Sequence, residues 1–373
     1  MSIILLSSVP YNKTRGNSVY ANSIANEINK KVFLIQPTFK NNSIKKKNKY
    51  LTIINIKVPN KFNQKNRLFY INVEKTINKI KKEFNVSLIH ILYGHYFKKF
   101  INRLDAKLVW TCHNVPPNEY TFQGYKNIFI IKILLKLMIF LYHLSLIYLA
   151  NYKLIIVNSN RVKKIFKYLQ FLFPKILVIG CGHNFKKPLS TIKKNKKKNK
   201  INILTISSFK PHKKIEIVIE LAKRLEKSEI NYSWIVLADK YNTDYEKKII
   251  NIKKNYNIKN VKFISKISEQ KKNDLYKESD IYIQTSNEEG FCIPFLEASC
   301  FNHLLVLGTP TGAIPEIAKS FGCYVCKNAD DFFNKIKLRI NKEIRIRKIS
   351  NKKINQWSWK MIAKKTIDAY KKT

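Results

Sequence analysis

At 373 residues the chain is long enough for two ordinary domains, and a content of 45% hydrophobic and 12% aromatic residues can supply two cores. That composition excludes a disordered or fibrous chain. The formal charge of +47 favours anionic partners in general, yet lysine, asparagine and isoleucine recur in every segment, which points to a compositional bias rather than one designed patch.

Residues 3–6 form a short apolar run with no basic segment before it, so it reads as a first strand rather than a signal peptide, and a cytoplasmic protein is expected. A polar loop over 11–17 follows, and then a helix with an apolar stripe of Val19, Ala21, Ile24, Ala25 and Ile28. Further strands are expected at 32–35, 49–58 and 86–92, most of them separated by helical stretches. The strand at 107–111 delivers His113, a residue type that can hydrogen-bond a sugar hydroxyl or carry a proton near neutral pH. A structural histidine bonded to a loop carbonyl is the alternative there.

Residues 127–150 are the most apolar part of the chain and long enough to span a bilayer. Lys132, Lys136 and His143 nevertheless fall within one helical stripe, which suits a half-buried helix better than one surrounded by lipid. Its flanking and interspersed aromatics also suit a helix lying on an anionic membrane surface, with a buried core element as the rival reading. Strands at 153–157 and 176–179 complete a first domain over 1–183.

Residues 184–200 form a basic linker without apolar period, and a nucleic-acid arm is its less favoured reading. The second domain, 201–354, has strands at 201–207, 234–238, 261–264 and 280–284, with helices at 215–225, 245–254 and 271–278. A last helical segment covers 355–373. Strands alternating with helices predict an α/β protein of parallel, doubly wound sheets, which bind ligands at the carboxyl ends of their strands. The six cysteines are scattered and read as reduced. Cys323 and Cys326 form a C-x-x-C, but without a second pair for zinc and on opposite faces of a short strand.

The most informative stretch is 285–317. A strand ending near Gln284 leads into Ser286, Glu289-Gly290-Phe291, then Pro294 and Glu297-Ala298 on a helix, and later Gly312-Ala313-Ile314-Pro315-Glu316. Glu289 is thereby placed at a strand end, and Glu297 about two helical turns further on. Gly290 lets backbone amides approach a ligand. This ordered set resembles retaining GT-B glycosyltransferases, in particular family 4, the glycosyl transferases group 1 type.

The resemblance implies a GT-B architecture, two Rossmann-like domains facing across a cleft, the first on the acceptor side and the second holding the nucleotide sugar. It implies transfer from a nucleotide-diphosphate sugar, as co-substrate rather than cofactor, to a glycan, lipid-linked or protein acceptor. Configuration would be retained and no metal required. Glu289 and His113 would serve the catalytic step. Lys213 would neutralise the diphosphate, the backbone of Phe291, Cys292 and Ile293 would contact the donor, and Glu297 would accept from the ribose hydroxyls. Gly16 is the one glycine of a first loop that is glycine-rich in the family. Ser208 stands where the family has an arginine, with Lys210 or His212 nearby to supply the missing charge. The final segment, with Trp357 and Trp359, resembles the family's ending, whose last helix returns to the first domain. Two other classes compete with this reading: a nucleotide-sugar epimerase of the same fold, and a basic nucleic-acid-binding protein, for which no recognition motif is present.

Overall fold

The computed structural model describes residues 2–10, 16–59, 67–93, 106–113, 134, 137, 138, 141, 152–167, 175–189, 200–239 and 243–373. The chain divides into two compact units, Met1–Gly182 with Trp359–Thr373, and His183–Ser358.

In the first unit the order is β1 (Ser2–Ser7), α1 (Gly16–Glu27), β2 (Lys31–Thr38), β3 (Ser43–Lys46), β4 (Leu51–Lys57), α2 (Arg67–Glu83), β5 (Val86–Tyr93), β6 (Lys107–Cys112), β7 (Leu154–Val157), α3 (Asn160–Lys167) and β8 (Lys175–Val178). These strands form one eight-stranded sheet ordered β3-β4-β2-β1-β5-β6-β7-β8. Every pair is parallel except β3 with β4. The β3 hairpin was not legible in the sequence, because Ser-Ile-Lys-Lys lacks an apolar face and lies on the sheet's edge. β1 and β7 are buried along their whole length, which is the signature of parallel strands covered on both faces.

The C-terminal helix, Trp359–Tyr370, belongs to this unit. The Tyr370 hydroxyl lies 2.6 Å from His90 Nδ1, while His90 Nε2 lies 2.7 Å from Thr111 Oγ1, so one buried imidazole ties β5, β6 and this helix together. Trp359 also packs edge-on against Tyr20 of α1, and a Cβ on Gly182 would come within 2.6 Å of the Trp359 backbone nitrogen. Burial first, and then the nearby His113, lower His90 to about 3; burial lowers His113 to about 4. Both rings are therefore neutral in the folded protein. Below the ordinary histidine value of about 6.5 the unfolded chain binds protons that the folded chain refuses, so stability falls as pH drops from there toward 4. Each such histidine costs about 1.4 kcal/mol per pH unit in that window. Urea midpoints at pH 7 and pH 5 should show the fall, and His90→Gln should lose less over the same interval; identical pH slopes for the two proteins would refute the account.

The second unit runs β9 (Ile201–Ser208), α4 (Ile215–Lys227), β10 (Tyr232–Asp239), α5 (Asp244–Asn255), β11 (Val261–Ile264), α6 (Glu269–Glu278), β12 (Ile281–Gln284), α7 (Ile293–Ala298), β13 (Leu305–Gly308), α8 (Ile314–Phe321), β14 (Tyr324–Val325), α9 (Ala329–Ile340) and α10 (Asn351–Gln356). Its six strands are all parallel, in the order β11-β10-β9-β12-β13-β14. α4 shows why the pattern folds this way: Ile215, Val218, Ile219 and Ala222 recur at helical spacing and are all buried against the sheet. Residues 183–189 go with this unit, since Leu189 and Cys300 share a backbone hydrogen bond of 3.0 Å. The remainder of the basic linker, 190–199, lies outside the described residues. All six cysteines are free, and Cys323 and Cys326 flank the two-residue strand β14.

Candidate active site

From β9 the chain winds one way through β10 and β11, and from β12 the other way through β13 and β14. The carboxyl ends of β9 and β12 therefore flank the topological switch point, where helix connections depart to opposite faces and leave a crevice. The turn after β9 carries Lys213 in a short 3-10 helix, Pro211–Lys213, and the turn after β12 carries Glu289. The two turns are stitched together, with the Thr285 hydroxyl donating to Lys213 O (2.8 Å) and the Asn287 N–H to His212 O (2.9 Å).

Across this junction Lys213 Nζ donates to Glu289 Oε1 at 2.6 Å, with both side chains mostly buried. Ser286 Oγ donates to the same oxygen at 2.7 Å, and Gln284 Nε2 reaches it at 3.4 Å. The backbone N–H of Glu289 donates to Thr311 Oγ1 (3.2 Å), and the Thr309 hydroxyl donates to Ser286 O. The loop after β13 thus supports the Glu289 turn from behind. Gly312 completes that support: its φ is +54°, and a Cβ there would lie 2.5 Å from Glu289 O. In the Glu289 turn itself the left-handed residue is Cys292, at φ 78°, not Gly290. Burial, followed by the Glu289 carboxylate, pushes the Cys292 thiol well above its ordinary value, so it stays protonated beside that carboxylate.

Glu297 sits one helix further along, with Oε1 accepting from Lys272 Nζ (3.0 Å) and Oε2 from the Tyr276 hydroxyl (3.1 Å). Burial alone would lower the Lys272 ammonium, but Glu297 and Glu269 outweigh it and hold it above the ordinary lysine value. Each carboxylate oxygen keeps a lone pair for a second donor. If Glu297 accepts a ribose hydroxyl, Glu297→Gln should weaken nucleoside diphosphate binding by about 1.5–3 kcal/mol, the range for hydrogen bonds to charged groups. Unchanged affinity by calorimetry would remove Glu297 from the site.

Lys213, Glu289, Gly290, Phe291, Cys292, Ile293 and Glu297 thus share one unit and one end of its sheet. His113 and Gly16 lie in the other unit. His113 Nε2 donates to Leu92 O at 2.8 Å, and its Nδ1 faces Asn158 Nδ2 at 3.4 Å, while Tyr20 packs edge-on against the ring. Gly16 opens α1, and the loop residues 11–15 before it are outside the described set. His212 corrects one expectation: burial, and then the charge of Lys213, lower it to about 3, so it brings no positive charge to the turn. Gln284, Thr309, Thr311, Lys272 and Tyr276 were not singled out in the sequence. Only the switch from the apolar run 281–283 to the polar run 284–287 at the strand end could have signalled the first.

No curated protein matches the sequence. Solved structures match it along its whole length at low identity, which speaks for the fold. Sucrose-phosphate synthase from Thermosynechococcus elongatus aligns with a TM-score of 0.78 at 15% identity, covering 100% of this chain and 98% of that one. An alpha,alpha-trehalose-phosphate synthase (UDP-forming) from Burkholderia xenovorans, in complex with glucose-6-phosphate, aligns at 0.74 and 9% identity, covering 99% and 100%. Anabaena HepE, in complex with UDP and glucose, aligns at 0.72 and 15% identity, covering 100% and 99%. The two parallel α/β units are those of the GT-B fold. The family model described as glycosyl transferases group 1 matches residues 186–356, nearly the whole of the unit that carries Lys213, Glu289 and Glu297. This second unit thus matches the glycosyl transferases group 1 family, and the protein is a glycosyltransferase.

Proposed function

We propose that the protein transfers a hexose from a UDP-hexose to a glycan or lipid-linked acceptor with retention of configuration. The observation that carries this reading is the meeting of Lys213 and Glu289 at the switch point of the second unit, with Glu297 on the helix that follows the Glu289 turn. The bond between the anomeric carbon and the diphosphate oxygen breaks, and its electron pair leaves with the diphosphate. The acceptor hydroxyl oxygen bonds that carbon on the same face and passes its proton to the departing diphosphate oxygen. Lys213 lies where a cation balances the charge developing on the leaving phosphate. Glu289 orients the sugar, and Glu297 holds the ribose. UDP and glucose bound to the Anabaena structure of the same fold support the choice of donor.

A thermal-shift panel of UDP-, GDP- and ADP-sugars tests the donor, since a ligand binding only the folded state raises Tm. A rise with UDP-glucose and UDP above the other bases is expected; a response confined to GDP or ADP sugars would overturn the uridine assignment.

The lipid-linked acceptor is supported by the apolar stretch of the first unit. Its four described residues, Leu134, Leu137, Met138 and Leu141, are helical, fall at i, i+3, i+4 and i+7, and are each half or more exposed. That spacing puts four apolar side chains on one solvent-facing stripe, which is how a helix lies on a bilayer surface. The basic stripe expected at Lys132, Lys136 and His143 lies outside the described residues. Among the described residues no helix is long and apolar enough to cross a membrane. Basic groups near an anionic surface contribute about 1 kcal/mol each. Co-sedimentation with anionic but not neutral liposomes, weakened by Leu137→Glu, is the expected result.

A further inference from the structure

Three side-chain donors gather on one of the two oxygens of Glu289, beside the protonated Cys292 thiol that also hydrogen-bonds this carboxylate. Lys213 Nζ, Ser286 Oγ and Gln284 Nε2 all converge on Oε1, at 2.6, 2.7 and 3.4 Å. Behind them the Tyr282 hydroxyl donates to Gln284 Oε1 at 2.7 Å, and Gln284 Nε2 donates to Ser286 Oγ at 2.8 Å. Gln284, Tyr282 and Ser286 are all buried, with Gln284 only 1% exposed.

The chemistry of these groups leaves one consistent orientation. Turning the Gln284 amide over would set its oxygen against the Glu289 carboxylate, acceptor against acceptor, so Nε2 must face the carboxylate and Oε1 must face the tyrosine. Burial keeps the Tyr282 phenol protonated, with the Cys292 thiol and the Glu289 charge adding to its raised value, so it can only serve the amide oxygen as a donor. Ser286 then spends its proton on Glu289 and its lone pair on Gln284. Every hydrogen in the chain from Tyr282 to Glu289 has one destination.

We propose that Gln284 is a positioning residue for glycosyl transfer: backed by Tyr282 and relayed through Ser286, it anchors Glu289 by Oε1 so that Oε2 is the oxygen offered to the donor sugar. The inference rests on the role given to Glu289 above. It adds a specificity for one carboxylate oxygen and names the residues that impose it. A free carboxylate would rotate about its terminal torsion, which is broad and roughly two-fold; three convergent donors on one oxygen stop that rotation. Lys213 alone cannot, because an ammonium with three equivalent hydrogens on a flexible stem imposes no direction. The planar amide of Gln284 and the short hydroxyl of Ser286 do.

The test compares Gln284→Leu, Gln284→Glu, Tyr282→Phe and Glu289→Gln with the native protein. UDP release from UDP-glucose gives kcat, and calorimetry gives the Kd of UDP, which lacks the sugar that Glu289 would touch. Gln284→Leu should lower kcat at least tenfold while leaving the Kd of UDP within twofold, and Tyr282→Phe should do the same more weakly. Gln284→Glu sets a carboxyl against Glu289 and can donate only when protonated. Its activity relative to native should therefore rise as pH falls from 8 to 6, a response that mere loss of packing does not produce. Native kcat in Gln284→Leu alongside an impaired Glu289→Gln would overturn the positioning role and leave Glu289 in place. Loss of UDP affinity in parallel with kcat in Gln284→Leu, with a flat relative pH profile for Gln284→Glu, would assign Gln284 to structure alone. Native kcat in Glu289→Gln would overturn the reading of Glu289 and the inference with it.

Discussion

Gly312→Ala is expected to abolish transfer while leaving most of the protein folded. A Cβ at 312 would sit 2.5 Å from Glu289 O, 2.8 Å from Glu289 C and 2.8 Å from Glu289 Cβ, with no flexible side chain to absorb the clash. The backbone that presents Glu289 must move, or residue 312 must leave its left-handed φ of +54°. Forcing extra volume into a packed site costs about 1–3 kcal/mol, and a left-handed L-residue adds about 1–2 kcal/mol. The control is Gly322→Ala. Gly322 also has a positive φ, +71°, but the nearest atom to its Cβ would be Cδ of the Arg347 side chain, at 2.6 Å, which can swing away. Gly322 caps the C-terminus of α8, its N–H donating to Ala318 O. Both variants should lose several degrees of Tm, and only Gly312→Ala should lose its activity. Equal losses of activity at equal stability would mean that the contact with Glu289 is irrelevant to transfer.

Lys213→Ala should reduce kcat about 10²–10³-fold, the range for deleting one preorganised group that stabilises developing negative charge in a low-dielectric site. The family's arginine position is occupied here by Ser208 and His212 is neutral, so only the lysines of the turn after β9, Lys210 and Lys214 besides Lys213, carry positive charge. Removal of the ammonium also leaves Glu289 Oε1 with Ser286 and Gln284 alone. Lys213→Ala should therefore weaken UDP binding, whereas Gln284→Leu should not. Ser208→Arg, which restores the arginine, should be neutral or improve donor binding. A folded Lys213→Ala protein that retains most of its activity would show that the diphosphate is bound elsewhere.

Much of this site is legible in the sequence because its core is local along the chain. Ser286, Glu289 and Glu297 lie within twelve residues on one strand, turn and helix, and a strand end followed by a helix start places such residues in space with little freedom. Alternating strands and helices likewise determined the doubly wound class, since parallel strands require crossover connections. What the sequence could not show is everything that depends on segments distant along the chain. Lys213 meets Glu289 across 76 residues, Glu297 is flanked by Lys272 and Tyr276 from a preceding helix, and Gly312 reaches the Glu289 carbonyl from another loop. His212 has the residue type of a cation, yet burial decides its charge, and burial is a property of the fold. Gln284 looked like one more strand residue; only the packing of β12 between β9 and β13 buries it beside Tyr282 and turns an ordinary amide into the directional support of a carboxylate.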